Sequence, residues 1–518
     1  MIDDLTGYGS DAELEADLCI VGTGAAGISL AREFLDTRAR VIVLEAGGLE
    51  PDAQTDRLKE GEGLSARGLV EGRGRSFGGT TTLWAGQCMP LDPIDLETRD
   101  WVPHSGWPIA MSELSPFYER AAGVLAVPGE QHDESLWRHW GIVPPALDPA
   151  RVRHSYTVWS PKPDLGHVYG KDLRRSENVR VLLHANATAI ETSSAATAFS
   201  HVVARSLGGS SVRVSARACV LCCGGIENAR ILLTSGDPEA GGLANAHDTV
   251  GRYFQDHPNR RSALLHTSRP RDLQEPYSLL YRRRRRYLPK LALAPAVQRS
   301  EEVLNCGANL QYDFANEGLN ALRRVYRASR RSQEPDSSLR DDLRLAVRGV
   351  PAAAGTAYQR LARGRSSTSP PASIWLQTHS EQAPNPDSRV VLARGRDALG
   401  SNTARVNWRL TELEQRTAEV MAATVGNELR RLGLAETELC ADALGDSYHH
   451  IGATRMSTDP RNGVVDADCK VHGVEGLYVS GSSVFPTSGF ANPTLTIVAL
   501  SLRLADHLRR RLQMAPEF

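Results

Sequence analysis

The chain has no apolar run of the roughly 18 residues that a membrane-spanning helix requires. Its start, Met1 to Glu15, is acidic and lacks the apolar core of a signal peptide. Both absences speak against a helical membrane protein and for a cytoplasmic one. Neither sign of charge prevails: 60 Lys and Arg against 61 Asp and Glu leave a net charge of -1, which argues against a dedicated nucleic-acid binder. The eight cysteines are scattered. Cys219, Cys222 and Cys223 sit in an apolar run that reads as a buried strand. With no second CxxC and no nearby CxxH they are expected to be structural thiols, not metal ligands. Haem and pterin have no signal either.

What is present is a globular composition, 41% hydrophobic and 23% charged over 518 residues, more than one core usually holds. Two domains are therefore expected. Leu18-Cys19-Ile20-Val21 reads as a strand covered on both faces. It runs into Gly22-Thr23-Gly24-Ala25-Ala26-Gly27 and then a helical pattern, Ile28 to Phe34. Gly22 permits a tight turn, Gly24 lets backbone approach a pyrophosphate, and Gly27 lets helix and strand pack closely. Phosphates then meet free N–H groups at the helix start, near Ala25 and Ala26. Val41 to Leu44 forms the next strand, and Glu45 at its end stands where an acid accepts hydrogen bonds from ribose hydroxyls. Strand, loop, helix and acid in this order predict a dinucleotide site. The loop by itself does not separate FAD from NAD.

Near the other end, His449 and His450 precede Gly452, and Asn492-Pro493-Thr494 reads as a helix start. From Pro493 to about Leu508, residues Leu495, Val498, Ala499 and Leu502 recur at helical spacing. Asn and Pro suit the cap and first turn of that helix. Its N-terminus favours negative charge. Glycines and small hydroxyl residues in Gly72 to Gly86, including Gly78, Gly79, Thr80 and Trp84, would let backbone pass close to a flat cofactor. Asn186-Ala187-Thr188 follows a strand, and Gly224-Gly225 opens a helix.

These blocks, with Gly106-Trp107-Pro108-Ile109 and Val250 to Pro258, resemble the glucose–methanol–choline (GMC) flavoprotein oxidoreductases. Gly489 to Thr494 and Pro384 to Val390 look most like the bacterial sugar- and pyranose-oxidising branch. The resemblance implies an α/β fold, with a discontinuous Rossmann-like FAD-binding domain (12-95, 180-258 and 455-518) and a sheet-based substrate domain (96-179 and 259-454). It implies FAD contacts from Gly22, Gly24, Ala25, Ala26, Gly27, Glu45, Ala46, Gly78, Gly79, Thr80, Trp84, Ala187, Gly224, Ser482, Asn492, Pro493 and Thr494. Pyranose oxidases tether the flavin to a histidine before the tryptophan of the Gly-Gly block. Leu83 stands there in this chain, so non-covalent FAD is expected. Many relatives carry Asp where this chain reads Val479-Ser480-Gly481-Ser482, and contacts of that Asp do not transfer.

Oxidising an alcohol requires removal of the hydroxyl proton and transfer of the carbinol hydride to flavin N5. Imidazole, titrating near neutral pH, is the natural base. His449 matches the family's His-x-x-Gly and is the expected base. His450, its neighbour in an extended segment, should point the opposite way. Asn492 is expected to hydrogen-bond the same hydroxyl, and His257 to be structural. Gln377, His379 and Glu381 alternate along one strand face, so Gln377 and Glu381, with His450, are candidate contacts to a polyhydroxy substrate.

The expected activity is FAD-dependent oxidation of a CH–OH group on a sugar, glycoside or aminoglycoside, with O2 or a quinone or carrier protein as electron acceptor. The alternatives are an FAD-containing lyase of the same family, a nicotinamide dehydrogenase and a pure binding module. A nicotinamide enzyme would need a second phosphate loop, and none is seen. A basic insert, about 316-370, holds Arg323, Arg324, Arg327, Arg330 and Arg331. It is expected as a solvated helical excursion, with a membrane-surface or partner-binding role as the alternative.

Overall fold

A computed structural model describes residues 1–64, 67–129, 132–314, 318, 321, 325, 337–366 and 370–512. Two sheets dominate it, and their strand patterns differ for a physical reason. Leu18, Cys19, Ile20 and Val21 are all buried, as are Val41 to Leu44. A strand buried on both faces has no polar side to show, so these runs carry no alternation. They form the centre of an eight-stranded sheet ordered Ile2–Asp4, Val179–Leu183, Val41–Leu44, Ala12–Val21, Ser211–Leu221, Phe199–Arg205 and Asn186–Thr192. Leu477–Val479 joins Ser211–Leu221 as a further parallel partner. Pairs are parallel from Ile2–Asp4 to Ser211–Leu221 and antiparallel beyond. Helices Ala25–Arg32 and Thr494–Arg511 pack together against this layer. The second helix buries Leu495, Val498, Ala499 and Leu502, the residues its spacing picks out.

The second sheet, also eight-stranded, is antiparallel: Glu436–Leu439, Asn259–His266, Ser373–Ser380, Cys306–Asp313, Arg285–Leu293, Val152–Trp159 and Gln87–Cys88, with Leu280–Arg282 on Arg285–Leu293. Helix Glu412–Arg431 covers one of its faces. That helix starts at a capping box, Thr411 with Glu414, which satisfies backbone donors at both positions. A third sheet joins Arg389–Arg396 and Asn402–Asn407 to Gly61–Glu62 and packs on helix Gly224–Thr234.

The arginines of the basic insert, Arg323, Arg324, Arg327, Arg330 and Arg331, lie outside the described residues. The later part of that insert is a helix, Ser337–Arg363, with Val347 and Leu361 exposed. Among the described residues no helix is long and apolar enough to cross a membrane.

Candidate functional site

A cavity of about 530 Å³ runs between the two large sheets and takes its walls from both ends of the chain. At one end is the glycine loop. Gly22 has φ +102°, and a Cβ there would stand 2.8 Å from the Cys222 carbonyl oxygen. A Cβ on Gly27 would overlap the Gly22 carbonyl, so helix and strand close as the spacing predicts. Gly79 sits against the loop too, where a Cβ would come 2.8 Å from the Gly24 Cα. Gly24 and Gly224 face open space, leaving bare backbone for a ligand to approach.

Glu45 lies at the cavity wall. Its carboxylate accepts from Thr23 N–H at 3.0 Å, from Gly47 N–H at 2.9 Å, and from the Thr23 hydroxyl. Burial raises its pKa, and those bonds and the charge of Arg75 oppose the rise. Across the cavity Glu227 collects three guanidiniums: Arg230 at 2.8 Å, Arg73 at 3.0 Å and Arg75 at 3.4 Å. Burial would raise the Glu227 pKa, but Arg230, Arg75 and Arg73 together hold the carboxyl well below its usual range. Arg230 also faces Asp397 at 3.9 Å, while Arg75 Nη1 is buried beside the loop without a partner. That unpaired donor suits an anionic dinucleotide.

The other end is built from histidines. His449 Nδ1 stands 2.9 Å from His257 Nδ1, and His449 Nε2 stands 3.5 Å from Asn492 Nδ2. The tautomers follow from the outermost contact. Ser488 carbonyl can only accept, so His257 Nε2, 3.4 Å away, carries its hydrogen. Burial pushes the His257 pKa well below its ordinary value, aided by His449, so the ring is neutral and its Nδ1 is an acceptor. His449 must then donate from Nδ1, which leaves a bare lone pair on Nε2, the nitrogen beside Asn492. Burial, with the charge of Lys290, pushes the His449 pKa down to about 4. The ring is neutral at pH 7 and ready to accept a proton, although its pKa lies further from neutrality than the sequence reading expects. Asp256 holds the segment: Oδ1 accepts from the N–H of His257 (2.6 Å), His449 (3.0 Å) and Ser447 (3.1 Å). Burial raises its pKa to about 7 against these bonds.

Of the residues expected from sequence, Gly22, Gly24, Ala25, Ala26, Glu45, Ala46, Gly79, Thr80, Trp84, Ala187, Gly224, Ser482, Asn492, Pro493, Thr494, His449 and His450 all line this one cavity. Gly27 and Gly78 stand just behind the wall, Gly78 N–H donating to the Thr23 hydroxyl at 3.2 Å. His450 lines the same cavity but has different neighbours from His449, packing on Phe254 with ring centroids 5.7 Å apart. Its Nε2 is buried without a partner, and burial with Arg73 and His449 pushes its pKa down to about 3.

Two expected substrate contacts are placed elsewhere. Glu381 lies beyond the end of strand Ser373–Ser380, where alternation no longer applies. It is fully buried in a two-pronged ion pair with Arg99, at 2.8 and 2.6 Å, and accepts from Asn305 N–H at 3.1 Å. Gln377 donates to Asn259 at 3.0 Å and is outside the cavity wall. Sequence reasoning passed over His257 as a contact of the base, and over Arg73, Arg75, Glu227 and Lys290. Only the doublet Arg73/Arg75 ahead of the Gly-Gly block carried a local signal.

Asn492 Oδ1, His450 Nε2 and Arg75 Nη1 are all buried without a partner along this cavity. With the bare backbone at Gly24 and Gly224, they fit a dinucleotide that reaches from Glu45 to the helix start at Thr494. The doubly covered sheet carries the glycine loop to one end of this cavity, and the His/Asn pair closes the other. Residues 384–501 match the family model described as GMC oxidoreductase. The chain is 25% identical over 298 residues to the fructose dehydrogenase large subunit of Gluconobacter japonicus, 57% of this chain and 47% of that one. It is 23% identical over 556 residues to the 6'''-hydroxyparomomycin C oxidase of Streptomyces lividus, 95% of this chain and 92% of that one. Pyridoxine 4-oxidase from Mesorbium loti shares the fold, with a TM-score of 0.55 at 17% identity over 95% of this chain and 99% of that one.

Proposed function

We propose that the protein oxidises an alcohol group of a sugar, glycoside or aminoglycoside, with non-covalent FAD and with O2, a quinone or a carrier protein taking the electrons onward. The observation that carries this is the bare Nε2 of His449 beside Asn492, at one end of the cavity whose other end is the nucleotide loop. In this reading residues 12-95, 180-258 and 455-518 hold the cofactor, and 96-179 and 259-454 shape the substrate space.

FAD bound here supplies a two-electron acceptor for the carbinol hydride. His449 Nε2 accepts the hydroxyl proton. Asn492 Nδ2 donates to the hydroxyl oxygen and aims the C–H. The Thr494–Arg511 helix presents its N-terminus to the cavity and favours negative charge developing there. His257 and the Ser488 carbonyl keep the proton of His449 on Nδ1. The substrate class is supported by the polyhydroxy compounds in the names of the two relatives.

The test is anaerobic titration of the FAD-loaded protein with sugars, glycosides and aminoglycosides. Bleaching of the visible flavin band by one class, abolished in His449→Ala, is the expected result. Bleaching that is unchanged in that variant removes His449 from the role of base. A protein that retains no FAD ends the reading.

A further inference from the structure

The face of the antiparallel sheet beyond His449 carries a buried cation that the proposed chemistry does not use. Across three strands His379 pairs with Gly307, and Gly307 with Ala292. Paired residues share a face and alternate residues return to it, so Lys290, two before Ala292, lies on the same face as His379. Gly307 between them leaves room for the ring of Phe490, which a Cβ there would strike. Phe490 belongs to the short loop that ends at Asn492, so this face adjoins the reacting end of the site.

Lys290 is 5% exposed, and its Nζ stands 5.6 Å from the centroid of the Phe490 ring. It has no ion pair and no hydrogen bond among the described residues. The ring of His379 has none either. The groups whose titration feels the Lys290 charge are His257, His379, His449 and Cys306. None is a carboxylate. Burial, with Lys290 and His449, pushes His379 down to about 3, and burial holds the Cys306 thiol up at about 12, so none supplies a counter-charge at pH 7. Burial lowers the pKa of Lys290 itself only to about 8, so its ammonium is mostly charged. Lys290 Nζ is not among the polar atoms sealed off from solvent without a partner, so it is a little-hydrated ammonium that a ligand can still reach, and a charge so poorly hydrated is costly unless it is paired.

The phosphates of a bound dinucleotide would not meet this need, since the glycine loop, Arg73 and Arg75 line the cavity where they would lie and Lys290 does not. Lys290 and His379 lie outside the wall of the large cavity, on the substrate-sheet side of His449.

We propose that Lys290, with His379 beside it, is a binding subsite for an oxyanion carried by the substrate, so that the alcohol oxidised at His449 belongs to an acidic polyhydroxy compound bearing a carboxylate or phosphate. This rests on the alcohol-oxidising reading above and narrows its substrate class. Lysine serves such a group as a point charge on a flexible stem, compatible with either oxyanion.

The test compares matched substrates on the FAD-loaded protein: glucose, glucuronate and a glucose phosphate, as KM and kcat for flavin reduction. A charged member is expected to have a KM lower than glucose by about tenfold or more, and which charged member it is separates carboxylate from phosphate. Lys290→Met, retaining FAD and assayed well above the acid limb of His449, is expected to raise that KM at least as much and to leave the KM of glucose in place; a change in kcat transmitted through His449 falls on both substrates alike and is not the readout. Lys290→Arg is expected to keep part of the preference. Equal effects on the KM of neutral and charged substrates, or no preference in the unaltered protein, overturn the proposal. In parallel, acetate and inorganic phosphate are titrated while the visible spectrum of bound FAD is followed. A spectral shift lost in Lys290→Met supports the subsite even if no sugar is oxidised, which separates its fate from that of the alcohol reading. No shift with either anion counts against it.

Discussion

Replacing His257 by phenylalanine removes both the Nδ1 that faces His449 at 2.9 Å and the Nε2 that reaches Ser488 at 3.4 Å. His449 Nδ1–H then lies buried without an acceptor, at a cost of about 1–3 kcal/mol. The ring can shed that cost by moving its proton to Nε2, the atom that must be bare. If the whole cost appears in the barrier, flavin reduction slows by roughly 5- to 150-fold. The assay is stopped-flow bleaching of the FAD-loaded variant by saturating substrate without oxygen. His257→Asn, whose Oδ1 stands close to the place of Nδ1, is expected to recover most of the rate. The pH profile separates this role from a general electrostatic one. Protonated His449 cannot act as base, so the rate falls as pH drops through about 4. That value is set by burial and Lys290, not by His257. His257→Phe therefore lowers the plateau and leaves the acid limb in place. Lys290→Met removes a repelling charge and shifts the limb upward. A His257→Phe protein with bound FAD and an unaltered rate refutes the tautomer argument.

Two further predictions concern the frame. Glu381→Ala leaves Arg99 charged at a site where both side chains are fully buried. A loss of about 3–5 kcal/mol in urea unfolding is expected, largely restored in Arg99→Met/Glu381→Leu; a loss below about 1 kcal/mol would mean the pair behaves like a surface one. Gly27→Ala drives a methyl into the Gly22 carbonyl. Strain of about 1–3 kcal/mol falls on the phosphate-binding turn, so the purified variant should lose FAD on gel filtration, and full retention contradicts the packing role given to Gly27.

The nucleotide half of the site was legible because its signals are local. A turn that needs glycine, the helix that follows and the acid closing the next strand lie between Leu18 and Glu45, and short-range geometry dictates each residue type. The helix after Pro493 was legible for the same reason: cap, proline and apolar spacing occupy one contiguous stretch. His449 and Asn492 were read from the resemblance, with imidazole chemistry and helix capping giving each a reason to be there. Glu381 shows where such reading stops. Alternation placed it on the face of Gln377 and His379, but the strand ends at Ser380, and the next side chain turns into the core to meet Arg99, 282 positions away.

What the sequence determined by itself was therefore the class of cofactor site, since its signals are written in residues a few positions apart; His449, the proposed proton acceptor, came from the resemblance. Which groups stand around that acceptor was decided only in three dimensions. His257 meets His449 across 192 positions, and Lys290 faces the same end from the middle of a strand with no local mark of its role. These contacts arise when two sheets close on one cavity, and the cost of an unpaired charge or proton depends on burial, which no local pattern records.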